Sequence, residues 1–552
     1  MITEKQILRY WYIFSLCVII VSLPFSKIGL SIGQFLMAAG WIVDRFETKR
    51  WREKHLKYSG FCKLTGGAYT ALVLLFKGIW KGILQFFRHK PALIFSSIFL
   101  IHLAGLLITT DFDYALKDLR TKIPLFLLPL FLSTSGVFNR RDFHRIMMLF
   151  IAAILVRTLY NTGLIQTHHF IDIRDISRNV SHIILGLLIS LSIFSLGYFS
   201  LQKHLFPGWL RTLFIIVLIW FLSYLIISQS FTGLAITLLI LMILVPVMIF
   251  KTRNRWLKTG ILISFLVVLC SLGLYFSNLV KEYYIIHPVD YSKLEPYSSR
   301  GNKYIHNINS LQTENGNYLW IYIQWDELRM EWNKRSNIPF DSLDKKKQPV
   351  AYTLVRFLTS KGWRKDADAV SKLSPLEIDA IEKGVTNEIF LKEFSIRGRV
   401  YEILWGYDNY VKTGNPTGSS LMQRLEFWKA SLGIIKEHWL TGVGTGDMNI
   451  AFQQQYEKIQ TKLAPDQRWR SHNQFLSIFI GFGIFGFLWF LFAFIYPILA
   501  LHWQDDFFVV VFMMIALFSM ITEDTIESQT GVTFFAFFYS FFLFSRNKKE
   551  SI

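Results

Sequence analysis

The chain has 552 residues, of which 52% are hydrophobic and 16% aromatic. So apolar a composition argues against a soluble protein of this size and indicates many membrane-spanning helices. The 59 basic and 39 acidic residues give a formal net charge of +20. Because the basic residues lie in short segments between apolar runs, they argue against nucleic acid as a partner and favour anionic lipid and diphosphate.

Twelve apolar runs have about the length that a membrane-spanning helix needs. The first is not followed by a small-residue cleavage site, so we expect it to stay in the protein as a span. Three widely separated cysteines predict neither a disulfide framework nor a metal site. The predicted spans are residues 10–25, 28–44, 91–110, 122–136, 145–161, 181–201, 211–228, 232–250, 259–280, 474–500, 507–522 and 530–546.

Basic residues cluster before the first predicted span and after the second, fourth, eighth and last. All these segments fall on one side of a twelve-span chain, and the positive-inside rule makes that side cytoplasmic. Both termini are then cytoplasmic, and residues 281–473 lie outside. Residues 45–90 form a cytoplasmic connection, in which residues 72–87 are interrupted by lysines and predict an interfacial amphipathic helix rather than a thirteenth span.

The outer segment, residues 281–473, differs in chemistry from the apolar runs on either side. It contains an Asn315-Gly316 turn signal, and Ser374 and Glu377 have capping-box spacing around a proline. We therefore expect a helix over residues 375–383 within a mostly helical extracytoplasmic domain. The predicted organisation is a membrane domain of nine spans (1–280), this loop domain (281–473) and three further spans (474–552).

The stretch from Arg424 to Gly486 joins the polar segment to an apolar helix. Helical spacing predicts a helix over residues 425–437. The Gly-Val-Gly-Thr-Gly turn at 442–446 either aims N–H groups at a phosphate or is a tight connection between helices. His472 stands at the start of the apolar helix, where the helix dipole and nearby arginines favour its neutral form, as a general base requires.

Four elements of this stretch occur in a family-like order: Arg424 with Trp428, the turn at 442–446, His-Asn-Gln-Phe-Leu at 472–476, and the glycines of 481–486. The order resembles the signature of the bacterial O-antigen ligase and O-antigen polymerase family. Residues 352–387 look like a Bacteroidetes-type branch of it. The resemblance implies an all-α polytopic membrane protein with a GT-C-like fold.

The resemblance also implies an activity. Relatives are metal-independent glycosyltransferases of the inner membrane that use a polyprenyl (undecaprenyl) diphosphate-linked glycan as donor and need no cofactor. The acceptor hydroxyl would lie on the periplasmic side, with lipid A-core as the first expectation. The end of another glycan, for a polymerase, and a protein hydroxyl, for an O-oligosaccharyltransferase, stay open.

Roles follow residue by residue. The resemblance implies that His472 activates or orients the acceptor hydroxyl and that Arg424 binds the diphosphate, for which arginine supplies paired donors. Further candidates for the diphosphate or glycan are cations predicted on the outer side; some could instead be interfacial anchors. They are Arg468, Arg470, Arg178, Lys122 and Arg120.

Three features do not fit this scheme directly. Where relatives have an arginine in a Ser-Arg-x-Gly pattern, this chain has Phe231. Either another arginine substitutes, for which Arg178 and Arg424 are the first candidates, or the donor is held differently here. Arg157 lies inside an apolar run, where it is either functional or extends to the outer surface. The acidic residues of 523–527 are interpreted as solvated loop residues, because no matching group for a metal site is evident.

Two other classes use many spans. A transporter or flippase usually shows internal repeats and intramembrane polar groups, and the sequence has no convincing repeat. A noncatalytic assembly protein on the same scaffold gains some support from Phe231. We favour the glycosyltransferase, because the motif from Arg424 to Gly486 resembles that of glycosyltransferases and is predicted on the outer side.

Overall fold

The computed structural model describes residues 4–46, 61–135, 138–167, 176, 180–391 and 395–546. Helices dominate this part of the chain, and its only named strands form one short hairpin. Contacts divide the protein into two compact units, Met1–Val247 with Arg424–Ile552, and Met248–Gln423. The predicted loop domain, residues 281–473, has different bounds from the second unit. Residues 424–473 pack against apolar helices of the first unit, and the predicted span at 259–280 belongs to the second unit.

The first unit contains apolar helices from both ends of the chain. Its helix α10 runs past the unit boundary, and α17 begins just before it. The helices are α1 (Glu4–Ser22), α2 (Lys27–Asp44), α3 (Phe61–Arg88), α4 (Lys90–Ala104), α5 (Phe112–Lys122), α6 (Pro124–Thr134), α7 (Arg140–Thr167), α8 (His182–Leu201), α9 (Gly208–Ile227), α10 (Phe231–Lys251), then α17 (Ser420–His438), α18 (Met448–Lys458), α19 (Gln474–Ala500), α20 (Phe507–Thr522) and α21 (Gln529–Phe544).

Eight helices of the described chain are long and apolar enough to cross a membrane, which supports a multi-pass membrane protein. Seven of them match predicted spans, and the eighth, Tyr69–Arg88, covers the segment predicted to be interfacial. The predicted span at 122–136 corresponds to α6, whose 11 residues reach only about 16 Å. The count of twelve spans therefore stays a prediction, although a helix occupies each of the twelve predicted segments.

Helix α21 lies at the centre of the first unit. Every residue from Thr530 to Phe544 is buried, and eight of the sixteen residues of the helix are phenylalanine or tyrosine. The Tyr539 ring stacks on Phe95 with centroids 3.9 Å apart, and its hydroxyl donates to the Phe494 carbonyl at 2.7 Å. These contacts give a hydrophobic helix with no polar face a fixed orientation between its neighbours.

Small residues let α8 and α10 approach closely. A Cβ added at Gly186 would lie 3.3 Å from the Gly233 Cα, and Ser190 and Thr237 share a hydrogen bond of 2.9 Å between their hydroxyls. This is the packing typical of membrane helices with small residues at the contact. It accounts for the glycine of the Ser-Phe-Thr-Gly segment without any role for Phe231.

The second unit consists of one long apolar helix and a small polar domain. Strands β1 (Thr313–Glu314) and β2 (Asn317–Tyr318) form the predicted turn with Asn315 and Gly316 at positive φ, as a tight hairpin requires. The predicted capping box is present, and its helix ends beside Gly384 at φ 78°. The helices are α11 (Arg255–Tyr284), α12 (Trp325–Arg335), α13 (Val350–Ser360), α14 (Ala367–Ser371), α15 (Pro375–Glu382) and α16 (Ile396–Thr413).

Apolar side chains of the polar domain form their own core. Trp332, Leu354 and Phe357 have no exposed surface and pack with Leu328 and Ile381. This core confirms that the segment is folded and mostly helical rather than a linker. Its position outside the membrane stays a prediction.

Candidate functional site

A break in α19 organises the site. At Gly483 the backbone has φ 62° and ψ −166°, which is essentially restricted to glycine. The break leaves helix carbonyls without their usual partners, and the preceding segment supplies them: Val443 N–H donates to Ile480 O, and Gly444 N–H to Gly481 O, both at 2.9 Å. Ile484 N–H in turn donates to Trp439 O at 2.8 Å. Residues 439–444 are thus fixed against the broken helix.

These bonds decide between the two interpretations of the glycine-rich turn. Two of its N–H groups donate to α19, and Gly446 N–H donates to the Thr109 hydroxyl at 3.1 Å. A Cβ at Gly442 would lie 2.4 Å from the Gly481 carbonyl carbon. The turn is therefore a close-packed connection, and those three donors are already occupied by the protein.

The turn also fixes the start of α5. Asp447, directly after it, accepts hydrogen bonds from the N–H groups of Thr110 and Asp111 at 2.9 and 2.8 Å. Asp111 then caps α5 by accepting from Tyr114 N–H at 2.9 Å. Residues more than 300 positions apart in the chain are thereby held side by side.

His472 lies on a strained backbone immediately before α19. Its φ is 44°, which is uncommon for a residue with a side chain. The next residue, Asn473, caps the helix by accepting from Phe475 and Leu476 N–H. Trp428 holds the loop from the other side by donating its indole N–H to Ser471 O at 3.1 Å. The conformation is therefore determined by both neighbours of the histidine.

Glu523 faces His472 and Arg424 together. Its Oε1 lies 3.3 Å from His472 Nδ1, and its Oε2 lies 3.8 Å from an Arg424 guanidinium nitrogen. The three side chains are 20–31% exposed. Oε2 is buried and accepts no hydrogen bond from the residues that the structure describes. We refer to His472, Glu523 and Arg424 as the open cluster.

A second group of charges lies on the other side of the same acidic loop. Lys122 Nζ contacts Asp118 Oδ1 at 2.5 Å and Glu527 Oε2 at 2.9 Å, and Arg470 contacts the same Glu527 oxygen at 3.3 Å. The side chains of Lys122, Asp118 and Glu527 are less than 10% exposed, and that of Arg470 is 19% exposed. We refer to these four residues as the enclosed cluster.

Burial and charge act in opposite directions in the enclosed cluster. Burial acts to raise the pKa of Glu527, but Lys122 and Arg470 together act more strongly and lower it to about 2. Burial raises the pKa of Asp118 to about 6, although Lys122 acts to lower it. Glu527 is therefore the permanent anion between the two cations.

Asp524 links the two clusters. Its Oδ1 accepts from the Ser477 hydroxyl at 2.7 Å and from Asn473 N–H at 3.1 Å, at the first turn of α19. Burial raises the pKa of this carboxyl, although Arg470 acts to lower it. The acidic loop is thus tied to the helix start that carries His472.

Residues 377–491 match the family model of the O-antigen ligase. In this segment the chain is similar to O-antigen ligases. No curated protein matches the chain. The matched segment contains Arg424, Arg470 and His472, whereas Glu523, Asp524 and Glu527 lie beyond it and Asp118 and Lys122 lie far before it. In this protein, residues outside the matched segment therefore complete the charge network around the histidine.

The interpretation of residues 523–527 as a solvated loop was wrong. Asp524 and Glu527 accept hydrogen bonds from Asn473, Ser477 and Gln474 beside His472. The Glu527 side chain is only 8% exposed, and Ile526 has no exposed surface. Lys122 and Arg470, the partners of Glu527, are 405 and 57 positions away. One signal was available, since an acidic loop and a basic motif were both predicted at the outer ends of neighbouring spans.

The other predicted site residues differ in where they lie. Arg470 and Lys122 join the histidine region through the acidic loop. Arg468 instead donates to Leu463 O at 3.3 Å within its own loop. Arg120 is exposed on α5, and no ion pair to it is found among the described residues. Arg178 lies outside the described residues.

In the described part of the chain, no group of three or more His, Cys, Asp or Glu side chains is placed to hold a metal ion.

Proposed function

We propose that this protein is a GT-C-like membrane glycosyltransferase of the O-antigen ligase family. It transfers a glycan from a polyprenyl diphosphate donor to an acceptor hydroxyl on the periplasmic side of the bacterial inner membrane, without a metal or cofactor. The open cluster is the observation that supports this most directly. It combines, beside a family-matched histidine, a carboxylate that orients the imidazole and an arginine suited to a phosphate.

The proposed reaction is a single displacement. The acceptor hydroxyl oxygen attacks the anomeric carbon of the donor sugar, and the bond from that carbon to the diphosphate oxygen breaks. The leaving diphosphate keeps the bonding electrons, and the hydroxyl proton passes to His472 Nε2. Glu523 accepts the Nδ1–H, which leaves Nε2 unprotonated and available.

Arg424 is the proposed partner of the leaving diphosphate. Negative charge develops on the departing oxygen, and a guanidinium held nearby stabilises that charge in the transition state. Lys122 and Arg470 are proposed to position the acidic loop rather than to bind substrate directly, because Glu527 and Asp118 already pair with them. Arg120, Arg178 and Arg468 remain proposed contacts of the donor glycan or diphosphate.

Complementation of a deletion strain tests the activity and the acceptor. Wild type, His472→Ala and the control His438→Ala are compared by resolving surface glycolipids on a gel. His438 is exposed at the end of α17 and serves as the matched histidine. We expect wild type and His438→Ala to restore long glycan on lipid A-core, and His472→Ala to leave lipid-linked glycan unused.

The pattern of loss separates the alternatives. Lipid A-core that carries a single repeat unit would instead indicate a polymerase. An unchanged ladder in the deletion strain would move the acceptor to protein or favour a transporter. Full activity of His472→Ala would contradict the proposed chemistry.

A further inference from the structure

Arg157 is a buried cation for which the described residues supply no acceptor. Its side chain lies on α7, in a candidate membrane span, and only 5% of the residue is exposed. A guanidinium has five N–H donors and cannot lose its charge in a protein. Within the described residues, Nε has no hydrogen-bond partner and no carboxylate pairs with the side chain. Its contacts are the rings of Phe25 and Tyr160, with centroids 5.7 and 5.8 Å away.

Two other arginines of the same unit do have acceptors, although Arg45 Nε is also buried without a partner. Arg45 donates to Thr134 O at 2.5 Å, and Arg546 is paired with both oxygens of Asp506. A buried charge that is neither paired nor hydrogen-bonded is strongly unfavourable. Aromatic rings offset only part of this cost. Arg157 therefore requires an anion that the chain itself does not supply within its described part.

Further unsatisfied polar atoms lie on α7 and α9, the helices that Asn161 and Tyr224 join. One turn along α7, Asn161 donates to the Tyr224 hydroxyl at 2.8 Å, while its Oδ1 is buried without a donor. Ser228, one turn beyond Tyr224 at the end of α9, has a buried hydroxyl without a partner among the described residues. Donors and acceptors that lack partners thus occur together where α7 meets α9.

We propose that Arg157, Asn161 and Ser228 form a binding site for the phosphate of a membrane lipid. The planar guanidinium presents paired donors that match phosphate oxygens, and the Ser228 hydroxyl adds another donor. A phosphate that bears an O–H, or a glycerol hydroxyl of the headgroup, satisfies Asn161 Oδ1. The aromatic rings beside Arg157 suit the junction between a headgroup and its chains.

The site is separate from the open cluster in the residues that form it. It lies on α7 and α9, whereas the open cluster lies at α17, the start of α19 and the loop after α20. The proposal does not rest on the transferase activity, because a phospholipid and a polyprenyl phosphate both carry the required group. Which lipid binds is a question for the experiment.

Thermal unfolding of the purified full-length protein in detergent tests the site. Polyprenyl monophosphate, phosphatidylglycerol and inorganic phosphate are added in turn, with polyprenol and diacylglycerol as uncharged controls. We expect a phosphate-bearing lipid to raise the Tm of wild type by several degrees. Arg157→Met should abolish this rise, yet its lipid-free Tm should equal or exceed that of wild type, because the variant removes an uncompensated buried charge.

Arg211→Met is the matched control. Arg211 lies at the start of α9, where its Nε donates to Ser200 O at 2.7 Å, so its charge already has an acceptor. This variant should keep the full lipid-dependent rise in Tm. His472→Ala should keep it as well, even where glycan transfer is lost, which separates failure of this site from failure of the proposed function.

Each outcome of the unfolding experiment either supports the lipid site or overturns it. A rise with polyprenyl monophosphate alone, with phosphatidylglycerol alone or with both supports the site and identifies its lipid. A rise with inorganic phosphate alone would replace the lipid by a free anion and overturn the proposal. So would a rise that Arg157→Met retains, or a lower lipid-free Tm in that variant, which would make Arg157 a structural cation. If Arg157→Met does not fold, Arg157→Lys, which keeps the charge but not the paired donors, should reduce the rise.

Discussion

The open cluster and the enclosed cluster share the acidic loop between α20 and α21, but their charged side chains differ in exposure and in pairing. In the open cluster, Glu523 keeps one oxygen without a hydrogen-bond donor among the described residues, and His472 and Arg424 stay partly exposed. In the enclosed cluster, Lys122 and Arg470 share Glu527 and are shielded from solvent. The side chains of the open cluster are accessible to a substrate, whereas those of the enclosed cluster fix the loop that carries Glu523.

Similar residue types thus serve two purposes according to burial. A buried ion pair contributes little over an apolar contact but is very sensitive to the loss of one partner. A partly exposed carboxylate beside a histidine contributes little to stability, yet it can fix the direction of a proton transfer. Stability and activity should therefore respond to different members of one loop.

The largest effect is expected from Glu527→Gln. The substitution leaves Lys122 and Arg470 without their common anion, which should lower the free energy of unfolding by about 3–5 kcal/mol. Chemical or thermal unfolding in detergent measures the loss. Glu523→Gln is the matched variant from the open cluster and should lose less than about 1 kcal/mol. Equal losses in the two variants would remove the distinction between the clusters.

The pH dependence checks the cause of that loss. The pKa of Glu527 is lowered from its ordinary 4.5 to about 2. Its stabilising contribution is therefore present above about pH 4.5 and is lost as the pH falls towards 2. The difference in Tm between wild type and Glu527→Gln should close over that window. A difference that stays constant from neutral pH down to pH 2 would show that charge is not its origin.

A smaller effect, on activity rather than stability, is expected from Glu523→Gln. Loss of a charge-assisted hydrogen bond of about 1.5–3 kcal/mol should reduce the rate of transfer about 10-fold to 100-fold. The reduction is measured as single-turnover transfer with purified donor and acceptor. Glu437→Gln, at an exposed glutamate on α17, should leave the rate unchanged. An unaltered rate in Glu523→Gln would separate the carboxylate from the function of His472.

The smallest of these effects, about 1–3 kcal/mol of stability before any steric clash is added, is expected from Gly483→Ala. An alanine there needs a glycine-only backbone, and its Cβ would lie near the Leu440 carbonyl. The geometry of both clusters should change, since His472 lies directly before α19 and the first turn of α19 contacts the acidic loop. Gly481→Ala is the control, because its Cβ meets nothing closer than Met448 Sδ at 3.7 Å. If both variants behave alike, the break is not a required support.

Local features of this fold could be predicted from the sequence. The capping box at Ser374, the Asn315-Gly316 turn and the helix before His438 each depend on residues within a few positions of one another. The structure confirms all three. His472 and Arg424 were found through a family pattern that is itself local. All the residues that determine such a feature lie within one short stretch, so the sequence alone can predict it.

The rest depends on distant partners. Whether Glu527 is solvated or buried is decided by Lys122, some 400 positions earlier, and no window along the chain contains both. The glycine-rich turn had two interpretations until the carbonyls exposed by the break at Gly483 were known. The length of an apolar run also failed to predict that α6 is only 11 residues long. Burial and pairing, rather than residue type, account for these differences.

The break at Gly483 has a consequence for how the chain enters its membrane. An ordinary span satisfies its own backbone and can be released into lipid as soon as it is made. Helix α19 differs, because the carbonyls of Ile480 and Gly481 accept hydrogen bonds from the N–H groups of Val443 and Gly444. Those residues are synthesised first and must already be in place when α19 arrives. Insertion of this helix and assembly of the site around His472 are therefore one event in biosynthesis.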